Sequence, residues 1–76
     1  MSITIAEFTD TAGNAASIDV EKDSKLYRLT IGIPCGDGLF SPVFTGTYKT
    51  MVGAVRAMER AFPAAWTRTD NNKRRM

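Results

Sequence analysis

The stretch TMVGAVRAMERAF, residues 50–62, decides how this chain is read. Met51, Val55, Met58 and Phe62 recur at i, i+4, i+7 and i+11, which at ~100° per residue keeps all four within an arc of about 60°. Gly53, Arg56, Ala57 and Arg60 fall on the opposite side, so the segment is an amphipathic helix with one apolar stripe. Thr50 stands at the N-cap position, where its hydroxyl can accept a hydrogen bond from a free amide of the first turn, and Pro63 ends the regular pattern. Such a helix needs one apolar surface to cover, and the preceding chain supplies it as strands.

Working backwards, residues 39–48 alternate with Phe40, Phe44 and Tyr48 at even positions, which reads as a strand; Pro42 cannot donate to a ladder and marks an edge or a bulge. Pro34, Cys35, Gly36, Asp37 and Gly38 form the strongest turn signal in the chain. Between residues 25 and 33 the odd positions Tyr27, Leu29, Ile31 and Ile33 are apolar, giving a strand with one core face. Residues 17–21 alternate strictly and residues 3–8 begin with apolar alternation, with a loop over residues 9–16. If Ile33 pairs with Leu39 across a five-residue loop, Phe40 and Phe44 land opposite the core face; the expectation is therefore a four-residue loop or a bulge near Pro42 that returns the aromatics to the core. Downstream, Ala64, Ala65 and Trp66 are expected to add a short turn docking the Trp on the core rim.

The resulting fold class is α+β: an antiparallel meander of three to four strands with one C-terminal helix packed on one face. With 76 residues there is room for a single core, so residues 1–67 form one domain and residues 68–76 a basic, flexible tail. An apolar content of 43%, a charged content of 24% and a net charge of +2 describe a globular chain. The isoelectric point near 9.0 hides an uneven distribution. Arg68, Lys73, Arg74 and Arg75 face only Asp70 in the tail, whereas the first 67 residues hold six bases and seven acids. No apolar run approaches the ~20 residues of a membrane span, and the opening Met1, Ser2, Ile3, Thr4 lacks the pattern of a secretory leader, so the expected location is the cytoplasm.

Catalytic chemistry finds little footing. Histidine is absent, which removes the usual general base near neutral pH and the commonest metal ligand, and leaves Cys35 without an imidazole partner. One cysteine among scattered acids does not make a zinc site. Gly32, Gly36 and Gly38 are followed by a strand rather than by Lys-Ser/Thr and a helix, so they read as turn residues and not as a phosphate cradle. No catalytic, metal-binding or cofactor-binding residue is assigned, and no cofactor is expected.

Two families share features with the chain. Gly46, Thr47, Tyr48, Lys49 and Thr50, followed by a helix carrying Ala54, Ala57 and Ala61, resemble the last strand and helix of double-stranded-RNA-binding domains, which however open with a helix. In length, Met-Ser start, acidic early hairpin and plain sheet with one helix, the chain as a whole resembles the small phage-encoded anti-CRISPR proteins acting on type I systems. That resemblance implies a non-enzymatic inhibitor in the cytoplasm of a host bacterium, binding a CRISPR-Cas effector complex or its nuclease and blocking target-DNA recognition or cleavage. Two surfaces are candidates for such a contact. One is an acidic edge of Glu7, Asp10, Asp19, Glu21 and Asp23, able to imitate DNA phosphates towards a basic groove. The other is a strand side with Leu26, Arg28 and Thr30, flanked by Arg56 and Arg60 of the helix. The rival reading is a nucleic-acid-binding protein using Arg68, Lys73, Arg74 and Arg75 with the helix arginines. The chain is expected as a monomer or as a homodimer paired through an edge strand, and no membrane partner is expected.

Overall fold

The computed structural model describes residues 2–69, and its strands and helix follow the alternations in the sequence with three extensions. Strands β1 (Ser2–Asp10), β2 (Ala15–Glu21), β3 (Tyr27–Gly36) and β4 (Leu39–Tyr48) run as an antiparallel meander, followed by helix α1 (Met51–Ala61) and a fifth strand, β5 (Trp66–Arg68). The sheet order is β4-β3-β2-β1-β5. The expected three to four strands are therefore five. Trp66, expected in a turn, opens β5; Arg68, expected in the tail, pairs with Phe8; and the Thr69 amide donates to the Glu7 carbonyl at 2.7 Å. Short polar β5 lacks a strand-like run of apolar residues, and it forms because β1 offers an unpaired edge. Lys73, Arg74 and Arg75 lie outside the described residues.

Helix α1 begins as the sequence predicts, with Thr50 Oγ1 accepting from the Gly53 amide at 3.0 Å and the Phe62 amide closing the last turn on the Met58 carbonyl at 3.0 Å. Its fully buried residues are Ala54 and Met58; Met51, Val55 and Phe62 are partly buried beside them. Ala57, expected on the solvent side, also packs against the core. The stripe is turned towards small Ala54 because a methyl group lets the helix axis come close to the sheet. The helix lies on β3 and β4 and reaches β2. The sheet contributes Ala6, Phe8, Ala16, Ile18, Leu29 and Ile31 to the core, from even positions of β1 and β2 and odd positions of β3. The four fully buried large side chains, Ile18, Leu29, Ile31 and Met58, contribute about 1.5–3 kcal/mol each through burial.

Three residues without a cross-strand partner bend the sheet: Ile5 in β1, Cys35 in β3 and Val43 in β4. The bulge expected near Pro42 is at Val43, and it places Phe44 opposite Ile31 and Tyr48 opposite Tyr27 on the core face. Phe40 it does not recover. Beyond the bulge Gly32 pairs with Pro42 and Pro34 with Phe40, so Phe40 and Pro42 belong to the face opposite the helix. Ile33, expected in the core, is 38% exposed because β3 and β4 run past the end of the helix-covered region. The turn itself is only Asp37-Gly38, both with positive φ (49° and 77°), the geometry that suits a two-residue hairpin.

Candidate functional site

Among the described residues a single helix covers one face of the sheet, and the other face has no covering element. The molecule is accordingly thin, 34 × 32 × 20 Å. Strand pairing turns the uncovered face into rows that cross the strands. One row runs Thr67, Thr9, Ala15, Gly32, Pro42, and the next Glu7, Ser17, Thr30, Thr45 with Thr69 bonded beside Glu7. A third runs Thr4, Asp19, Arg28, Thr47. Threonine on a wet strand face satisfies β-propensity and solubility together, which accounts for its frequency here.

The first two rows enclose a groove of about 460 Å³, open along its length and lined by Glu7, Thr9, Ala15, Ser17, Thr30, Gly32, Phe40, Pro42 and Thr69, with Phe8 and Ala16 beneath. Its floor is low where Ala15 and Gly32 sit side by side. Gly32 leaves little room for a side chain: a β-carbon there would lie 3.1 Å from Phe40 Cβ and 3.4 Å from the Ser41 carbonyl oxygen. The missing β-carbon lets Phe40 lie against the strand and form the apolar end of the groove. Phe40 remains 47% exposed.

The loop at the near end is held by Asp10. Its Oδ1 accepts from the Ala12 and Asn14 amides at 2.9 and 2.8 Å, and its Oδ2 from Asn14 Nδ2 at 2.9 Å. Desolvation pushes this carboxyl upward, but the bonds from the Asn14 side chain and from the backbone amides of Asn14, Ala12 and Gly13 outweigh it and hold the group below its ordinary value. Asp10 is thus a structural residue, 9% exposed, which fixes the turn that aligns Thr9 with Ala15.

The predicted contact residues divide between the two sides of the molecule. Glu7, Asp19, Glu21 and Arg28 share the open face, where Thr4 Oγ1 donates to Asp19 Oδ1 at 2.7 Å and Arg28 lies 3.9 Å from Glu21. That exposed pair adds little stability. These three carboxylates against one guanidinium leave the described part of the face net negative. Asp23 is exposed in the β2–β3 turn, beyond the end of these rows. Arg56 and Arg60 are exposed on the helix, so the sheet separates them from Arg28 and the composite surface of Arg28 with the helix arginines does not form. Arg68 donates to the Ile5 carbonyl at 3.2 Å, beside β1. The groove residues Ala15, Gly32 and Pro42 escape a sequence reading because no local signal shows that they are neighbours; the alternation of Thr with apolar residues marks only the wet face.

Cys35 is exposed in the β3–β4 arm. Among the described residues no group of three or more His, Cys, Asp or Glu could hold a metal ion, and no helix is long and apolar enough to cross a membrane. Both sheet edges are blunted, β5 by its three residues and β4 by Pro42 and the Val43 bulge, which interrupt a continuous edge ladder. In comparisons with known proteins, the chain matches no family model, no curated protein and no solved structure.

Proposed function

We propose that this chain is a non-enzymatic binding protein that sets its open sheet face on a basic surface of a protein partner and inhibits that partner by occupying it. The observation that supports the reading is the groove crossing the uncovered face, together with a net negative charge on that face. An open groove cannot enclose a small substrate as binding clefts do, whereas it suits a segment of a larger molecule. Three carboxylates repel phosphates and favour cationic groups, which speaks for a protein partner over nucleic acid on this face. The resemblance to anti-CRISPR proteins makes a type I CRISPR surveillance complex or its nuclease the partner we propose, with an acidic sheet taking the place of target DNA inside a bacterial host.

The test is co-elution of the full chain with purified type I complexes in gel filtration, paired with a target-DNA mobility-shift assay. The reading expects a stoichiometric complex that no longer binds DNA. Absence of complex formation with every type I effector tried would remove the partner. A chain that by itself retards DNA, with affinity falling steeply with log salt, would instead favour the nucleic-acid reading through Arg68, Lys73, Arg74, Arg75, Arg56 and Arg60.

A further inference from the structure

From the groove we infer that the open face takes an extended segment of a protein partner bearing a bulky apolar residue and, about four residues away, a lysine or arginine. This inference rests on the open face being the binding surface and adds the chemistry of what enters it. The groove crosses the strands, so its ends are set by strand spacing. Phe40 and Pro42 stand on β4 and Glu7 on β1, three inter-strand steps or about 14 Å apart. An extended peptide advances about 3.3 Å per residue and covers that span in about four.

The two ends differ in chemistry. At the β4 end the Phe40 ring, seated over Gly32, and the Pro42 ring stand beside Ala15 and together offer an exposed apolar wall against which an apolar side chain can pack. At the β1 end Glu7 has Ser17 as its cross-strand partner and Thr69 bonded beside it through the backbone, all three lining the groove. A carboxylate has about four acceptor positions, so it can take an incoming ammonium or guanidinium alongside contacts within its own chain. The aliphatic stem of a Lys or Arg lies over apolar surface while its head reaches the acid, so such a side chain fits the passage between the ends. A nucleic-acid strand meets the same carboxylate as repulsion. A second copy entering by its β4 edge is opposed by Pro42 and the Val43 bulge.

The experiment is an NMR amide-shift titration of the full chain with three short peptides in a Gly-Ser background. The first carries a leucine and, four residues later, an arginine; the second replaces that arginine with glutamate; the third replaces the leucine with glycine. The leucine–arginine peptide is expected to move the amides of Ala15, Ser17, Thr30 and Gly32 and to bind at least about fivefold more tightly than either of the others. Glu7→Gln in the protein should erase the preference for arginine over glutamate, and Phe40→Ala the preference for leucine over glycine; the spectra themselves show that each variant is folded. Shifts elsewhere on the surface, equal binding of all three peptides, or self-association that protects the same amides would overturn the inference. Effector capture reports on the face independently of the peptides. If capture is lost in Phe40→Ala and in Ala15→Leu but the peptides show no preference, the open face stands and the basic segment falls. If the peptides behave as expected while no effector is captured, the open face and its basic segment stand and the proposed effector partner falls.

Discussion

Replacing Asp10 with alanine tests the link between loop chemistry and the shape of the groove. The substitution removes the acceptor of three hydrogen bonds, from the amides of Ala12 and Asn14 and from the Asn14 side chain. Bonds to a charged acceptor contribute about 1.5–3 kcal/mol each, but Ala12 is exposed and water replaces its bond, so the expected cost is about 2 kcal/mol rather than the full sum. Against a total of about 4–11 kcal/mol for a domain of this length, that is a large fraction, equivalent to a fall of about 10 °C in Tm. Trp66 is the only tryptophan and pairs directly with Asp10, so urea unfolding followed by its fluorescence reads the affected region. Because the folded-state pKa of Asp10 is lowered, its contribution is complete above the unfolded value of 3.8 and is lost as pH falls through the folded one. The gap between wild type and Asp10→Ala should therefore be full near pH 7 and shrink only once the pH has fallen below 3.8, and Asp10→Asn, which keeps one acceptor oxygen, should cost about half as much. A variant within about 0.5 kcal/mol of wild type at pH 7, or a gap unchanged in acid, would refute the reasoning.

Met58→Ala should cost about 3 kcal/mol, since the side chain is fully buried between helix and sheet; calorimetry or urea unfolding measures it. Thr50→Ala removes the bond to the Gly53 amide and should cost about 1 kcal/mol, visible as reduced helical ellipticity on mild heating. Gly32→Val is expected to destabilise by about 1–3 kcal/mol and to push Phe40 off the strand, because even a β-carbon there stands 3.1 Å from Phe40 Cβ; unchanged stability and unchanged Phe40 ring shifts would contradict the packing described. Phe40→Ala, at a half-exposed side chain, should leave stability within about 0.5 kcal/mol of wild type and yet weaken partner capture.

Much of the fold is legible in local patterns. The helical stripe of Met51, Val55, Met58 and Phe62 and the N-cap Thr50 follow from periodicity and hydrogen-bond chemistry within one segment. The core face of β3 is visible in Tyr27, Leu29 and Ile31, and the clash between that face and Phe44 is enough to require a bulge. β5 is not legible, because Trp66, Thr67 and Arg68 become a strand only through the edge that β1 presents to them. Asp10 reads as one more acid of a negative edge, and only its three donors show that it holds a turn.

The amino-acid sequence by itself determined the helix, four of the strands, the core face of β3 as far as Ile31 and the absence of histidine chemistry, because each of these depends on side chains a few residues apart. Tertiary structure decided which of the charged residues stand together. Asp19 and Arg28 stand side by side, and Glu7 shares their face one row away, because β1, β2 and β3 pair in one register, and Arg56 and Arg60 are removed from them because the helix covers the opposite face. The groove belongs to the same class of fact: Ala15, Gly32 and Pro42 come from three strands, and a shift of one residue in any pairing would have turned its side chains to the other face.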